Sequence, residues 1–330
     1  MTELRKRELE RRVSIIIFVL LTIAPLFIRS PYPFFVLSLA VINGVAVMGL
    51  NFIFGLAGQL HLGTAGFLGI GSYAFSLAAT KAGWNFWAAA LLSVVVVCIF
   101  SLFLGFPTLR LKRYYLAIIT IGFAEITRSI LMNWSSFTGG VFGIQNIPRP
   151  SFFGLQFTDN RTFYYLALIL SVLLYLLAIR IERSRFGRAL KAVRDDELAA
   201  EAIGMNSTFL KVFAFICCGA YSAVAGTLYA SFQQYVSPEL YTQAYSFSFV
   251  SMLVFGGIGS VPGALLGATA LTVLMELLRF MKQWYLVMYA AAIILIIVFE
   301  PYGLMGILSR LRSRGAVQAE LPGGASETKV

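Results

Sequence analysis

Long apolar runs recur along this chain, separated by short polar stretches. A run of about 20 apolar residues crosses the hydrocarbon core of a bilayer as a helix, and the alternating pattern of a transmembrane barrel does not occur. The pattern predicts an all-α, polytopic transmembrane helical bundle of about ten spans. They fall near residues 13–28, 34–54, a third segment ending near 79, then 86–106, 114–132, 163–181, 209–230, 244–255, 264–280 and 285–299. Proline and glycine punctuate them. Pro25 lies near the end of the first span, residues 29–33 form a Pro-rich turn, and Pro107 stops the fourth span. Between the second and third spans, residues 55–71 are too rich in glycine for a plain lipid-facing helix, and GGIGSVPG at 256–263 interrupts the chain again after the eighth. The loop at 133–162 is the only stretch with room for short structure outside the bilayer, and residues 233–243 read as a polar turn around Pro238.

One polar island breaks the apolar pattern, at residues 185–205, RFGRALKAVRDDELAAEAIGM. Ala, Leu, Glu, Lys and Arg lose little side-chain freedom in a helix, so two short helices are predicted. The first covers about residues 186–194; the second opens at Asp195 or Asp196, whose carboxylate can take orphan amide protons, and ends at Gly204. Leu198, Ala202 and Met205 fall at i, i+4, i+7 and make a narrow apolar stripe on a charged rod. Such a rod between membrane spans can dock into another protein or serve as a solvated connector, and composition favours neither.

Composition sharpens the picture. The chain has 330 residues, 59% hydrophobic and 12% charged, with a formal net charge of +11. Soluble domains carry about 25% charged residues, so most of this chain faces lipid or itself. The basic surplus is explained by topology, with no need of nucleic acid. If residues 1–12 lie in the cytoplasm, ten spans put the loops at 110–113, 182–207 and 300–330 there too, together with about 19 of the 26 Lys and Arg residues when Arg180 and Lys211 at the adjoining span ends are counted. The expected organisation is a cytoplasmic basic N-terminus (1–12), a transmembrane domain (13–309) containing the loop 182–207, and a disordered cytoplasmic tail (310–330). No cleaved signal is expected, because the first apolar run leads straight into more membrane. Cys98, Cys217 and Cys218 lie within apolar runs without metal-ligand spacing and read as small packing residues.

The candidate chemistry is sparse. No GxxxxGK[ST] loop is present, so ATP hydrolysis by this chain is not expected. Gly69-Ile-Gly71 is a fragment of a dinucleotide fingerprint with no strand before it, and no cofactor is expected. The glycines at 55, 58, 63, 66, 69 and 71 suit either close helix packing or a broken helix beside a substrate path. The second use makes Gly58, Gln59, Gly63, Gly66, Gly69 and, on the fifth span, Glu125 the candidates for a translocation path. His61, the only histidine, has no partners for a metal site; it reads as a hydrogen-bonding residue near the membrane edge, with proton sensing as the alternative. Glu125 with Arg128, and Glu276 with Arg279, can pair at i, i+3. Ionisable groups within spans are functional candidates, although a self-neutralising pair also anchors a helix near the interface. No catalytic or metal-binding cluster stands out.

With the island on the inner face, the chain resembles the LivM-type membrane subunits of ABC importers for branched-chain amino acids. The resemblance is carried by LKRYYLAIITIGFAEITRSILMNW (111–134), TGGVFGIQNIP (138–148) and GRALKAVRDDELAAEAIGMNSTFLKVFAFICCGAYSAVAG (187–226). GLAGQLHLGTAGFLGIGSY (55–73) and EPYGLMGI (300–307) match the family's opening and closing marks. Val141 and Phe142 depart from the Pro and Asn of many members, in a loop that meets a binding protein. The resemblance implies a bacterial or archaeal inner-membrane subunit paired with a LivH-like permease, two cytoplasmic ABC ATPases and an extracytoplasmic substrate-binding protein. It also implies that residues 194–204 form the helix that couples to the ATPases: Arg194, Asp195, Asp196, Glu197, Leu198, Ala199, Ala200, Glu201 and Gly204. Leu198, Ala202 and Met205 would pack against the partner while Asp196, Glu197 and Glu201 set register. Branched-chain or other small amino acids, urea and short amides all suit such a pore. A self-sufficient secondary transporter or channel is the rival reading, and a membrane-embedded enzyme ranks last.

Overall fold

The computed structural model describes residues 3–23, 31–108, 113–152, 155–157, 159–284, 287–288, 290–291, 294 and 303–306. Its main helices are α1 (Glu3–Ile23), α2 (Pro31–Leu50), α3 (Thr64–Thr80), α4 (Phe86–Thr108), α5 (Arg113–Asn133), α6 (Ser135–Thr138), α7 (Asn160–Arg183), α8 (Arg185–Asp195), α9 (Glu197–Ala202), α10 (Ser207–Gln233), α11 (Gln243–Gly256) and α12 (Val261–Leu278). Among the described residues, six helical segments, built on α2, α4, α5, α7, α10 and α12, are long and apolar enough to cross a membrane. Of the other four expected spans, the apolar part of α1 is short, α3 has 17 residues, α11 has 14, and the tenth falls largely outside the described residues. The expected tail at 310–330, the basic cluster at Arg110 and Lys112, and residues 29–30 lie outside them as well; the rest of the turn expected at 29–33 is helical, since α2 already starts at Pro31.

The spans pack through small residues, as expected where lipid gives helices no hydrophobic reason to associate. The long α10 forms the centre, against α2, α3 and α4. Gly49 of α2 faces Tyr221 and Cys218 of α10; Gly71 of α3 faces Ala223; Gly219 faces Ser101 of α4. In each case a Cβ would lie at or within 2.8 Å of its nearest neighbour. Some buried hydroxyls find backbone partners on a neighbouring helix, for example Ser93 donating across to the Gly71 carbonyl at 2.8 Å. A polar chain ties three helices together: Asn43 Nδ2 donates to Thr272 Oγ1 at 3.1 Å, and the Tyr245 hydroxyl donates to Asn43 Oδ1 at 2.9 Å.

One expectation about loops needs correcting, whereas the short structure expected within 133–162 is present as β1, β2 and β3. Residues 233–243 are more than a turn: they carry β4 (Tyr235–Val236) and a 3-10 turn (Pro238–Leu240). β4 pairs antiparallel with β1 (Ile144–Gln145), in the register Ile144 to Val236, so two distant loops form one small cap at the end of the bundle where α5 and α10 finish. β2 (Ser151–Phe152) and β3 (Leu155–Gln156) form a separate hairpin. Two-residue strands carry no pattern visible in a sequence.

Candidate functional site

The island is built by a series of caps. Ser184 precedes α8 and its hydroxyl accepts from the Gly187 amide. Gly187, Leu190 and Val193 turn inward, and Lys191 Nζ lies 3.0 Å from Glu182 Oε1 at the end of α7. The α8 helix runs through Asp195, so Asp195 cannot open the second helix. Asp196 does so: its backbone is extended, and its carboxylate accepts from the Ala199 amide at 3.1 Å. After α9 the chain turns at Gly204, whose φ of +85° lies in the left-handed region open to glycine. Asn206 then caps α10 by accepting from the Phe209 amide.

The acidic residues of α9 reach partners on α10 from the flank of the helix, with Glu201 itself exposed. Glu197 pairs with the buried ammonium of Lys211, and Glu201 accepts from the Ser207 hydroxyl, both on the first turns of α10. Ala200 is 3% exposed and is the residue by which α9 packs on its own chain. The opposite face is apolar and open. Leu198 is 79% exposed and Ile203 is 73% exposed, with Ala199 and Ala202 exposed beside them. The outward surface is thus Leu198, Ala199, Ala202 and Ile203, whereas Met205, expected on the stripe, is half-buried. Sequence periodicity missed Ile203 because the helix has ended by then; Glu197 and Glu201, to which the resemblance gives a role in setting register, have partners within the chain.

Arg194 turns from the island into the bundle. Its guanidinium donates to the Gly55 carbonyl at 2.9 Å and to Asp195 Oδ1 at 3.0 Å. Gly55 belongs to a π-helical segment (Asn51–Leu56) that continues α2, a form in which the wide turn leaves carbonyls available to other donors. From the same segment Asn51 Oδ1 accepts from the Gly259 amide at 2.9 Å, in the turn between α11 and α12. Gly58 has φ +67°, and a Cβ there would stand 2.3 Å from Arg194 Cγ, so the side chain of Arg194 lies flat over bare backbone. One arginine of the island therefore touches both glycine-rich interruptions of the membrane helices. No local pattern could have joined Arg194, Asn51 and Gly259.

The candidate path residues divide. Gly58 and Gln59 line a cavity of about 530 Å³ with Tyr114, Arg194 and Asp195. Gly63, Gly66 and Gly69 instead admit close neighbours: the Thr120 carbonyl, Ala124 and the ring of Tyr241 respectively. Glu125 lies on the outer face of α5, with its side chain 49% exposed and paired to Arg128. The second expected pair, Arg279 to Glu276, measures 3.2 Å, and Glu276 also accepts from the Tyr32 hydroxyl. His61 departs from expectation. It is fully buried between Phe67, against which it stacks, and Phe215, and neither ring nitrogen has a hydrogen-bond partner among the described residues. The folding of residues 57–63 into the interior, rather than along an edge, puts it there.

Comparison with known proteins places this architecture. Residues 32–299 match the family described as branched-chain amino acid transport system / permease component. The chain is 38% identical over 281 residues to the high-affinity branched-chain amino acid transport system permease protein LivM of Salmonella typhimurium, covering 78% of this chain and 66% of that relative, just under two thirds of its length. It is 34% identical over 319 residues to LivM of Escherichia coli K12, covering 90% of this chain and 75% of the relative. The permease protein LivH of the same organism is 26% identical over 286 residues, 78% of this chain and 89% of the relative. The matched region contains α2 to α12, both helix interruptions and the island, and the chain belongs to the family of permease components of branched-chain amino acid transport systems.

Proposed function

We propose that this chain is the LivM-type half of the pore of an ATP-driven importer for branched-chain or related small amino acids. It shares the translocation path with a LivH-like permease, receives substrate from an extracytoplasmic binding protein, and is driven by two cytoplasmic ABC ATPases. The termini and the island face the cytoplasm of a bacterial or archaeal inner membrane. The observation that carries this reading is the construction of α9: an open apolar face of Leu198, Ala199, Ala202 and Ile203 on a short helix whose polar groups are satisfied on the other side. A solvated connector has no reason to expose such a face, whereas a helix that enters a cleft on another protein does.

In this mechanism the ATPases push the island as a rigid body when they close. Arg194 carries the displacement to the Gly55 carbonyl, and Asn51 passes it to the Gly259 turn, so α2, α11 and α12 move with the island. Glu125 and Arg128, on the outer face of α5, are available to the second permease or to the path between the two, where a mid-span ion pair is less costly than in lipid. Reconstitution tests the reading directly. The chain alone in liposomes should give no uptake with or without an ion gradient, and the full complex should give uptake that requires ATP. Gradient-driven uptake by the chain alone would replace the importer with a secondary transporter.

A further inference from the structure

At the end of the bundle opposite the island, α3, α4 and α5 diverge around an apolar cleft of about 560 Å³. Leu77, Val96, Ile130 and Leu131 are among its walls. Its volume falls in the range of about 300–1,000 Å³ typical of small-ligand sites. The helices α4 and α5 that flank it are membrane-length and carry exposed Ile99, Phe103 and Ile126, so the cleft adjoins a surface suited to hydrocarbon. Acyl chains are therefore the molecules at hand to fill it, since water in so apolar a space would find few partners.

The rim of the cleft differs from its walls. Lys81 stands there with Trp84 and Trp134, the residue types that settle at the level of lipid headgroups. Its ammonium donates to the carbonyls of Phe137 at 2.7 Å and Ser136 at 3.2 Å, and lies 5.7 Å from the centre of the Phe137 ring. These contacts hold the ammonium in place and engage two of its three N–H donors. No carboxylate lies in ion-pair range of Lys81 among the described residues.

We propose that this cleft is a binding site for an anionic phospholipid, with one acyl chain between α3, α4 and α5 and the phosphate on Lys81. A positioned ammonium with a free donor gives a phosphate oxygen a charge-assisted hydrogen bond, and the net charge of the lipid decides the preference. The site lies at the end of the bundle away from the ATPase contact.

The full complex in nanodiscs of equal phosphatidylglycerol and phosphatidylcholine tests this. After detergent washing, the retained lipid should favour phosphatidylglycerol by about fivefold, the effect of one cation near the headgroups. Lys81→Gln should bring that ratio to one with total lipid little changed, and Ala74→Phe, which fills the cleft, should lower retention of both lipids. If Ala74→Phe does not assemble, a phosphatidylglycerol with a photoreactive acyl chain should label α3, α4 or α5 at the cleft in the unaltered complex. Equal retention of the two lipids, labelling only elsewhere, or efficient cross-linking of Ala78→Cys to the second permease would overturn the proposal.

Discussion

The guanidinium of Arg194 lies 2.9 Å from the carbonyl oxygen of Gly55, joining the last turn of α8 to the end of the π-helical segment after α2. These residues are 139 positions apart in the chain, and their bond is where a surface helix meets a membrane helix. Charge-assisted hydrogen bonds of this kind are worth about 1.5–3 kcal/mol. Arg194→Ala should therefore reduce uptake roughly tenfold or more while the complex still assembles and hydrolyses ATP. Transport per ATP hydrolysed, measured in liposomes, is the quantity to follow, and an unchanged ratio would remove Arg194 from the transmission route.

The two faces of α9 should respond differently to charge. Leu198→Arg and Ile203→Arg place cations on the open face, so the ATPases should be lost on affinity purification while the permease keeps its thermal stability. Ala200→Arg forces a large cation into a site 3% exposed, and should destabilise the chain itself by about 2–4 kcal/mol or prevent its accumulation. Comparable ATPase retention in all three variants would contradict the assignment of the docking face.

Topology gives a third test. Ile203→Cys introduces an exposed thiol on the island, whereas Cys217 and Cys218 are buried. A membrane-impermeant thiol reagent should modify the new cysteine in inside-out vesicles and leave it untouched in intact cells. Labelling from outside would invert the arrangement of spans and separate the island from any cytoplasmic motor.

The ion pair on α5 allows a double-mutant cycle. Glu125→Gln leaves the Arg128 cation unpaired within a span, at a cost of about 2.5–3.5 kcal/mol if it faces hydrocarbon. Adding Arg128→Gln should recover much of the lost thermal stability. If Glu125 instead serves the substrate path, the double variant should regain stability but not uptake. Uptake that recovers in step with stability would assign the pair to anchoring alone.

Much of this protein was legible in its residues. Apolar run lengths located the six long spans to within a few residues, because a bilayer of fixed thickness imposes a fixed helix length. The capping carboxylate at Asp196, the left-handed Gly204 and the pairing of Glu125 with Arg128 are local relations within a few positions, and local chemistry settles them. Tertiary structure decided which face of the island is free. It did so through Glu197 reaching Lys211 and Ala200 packing inward, contacts that helical periodicity does not encode. It also decided that His61 lies among phenyl rings and that Arg194 meets Gly55 and the Gly259 turn. A sequence records the solvent each segment prefers; which distant backbone groups come within hydrogen-bond reach depends on how the helices cross, and that is settled only when the whole bundle has packed.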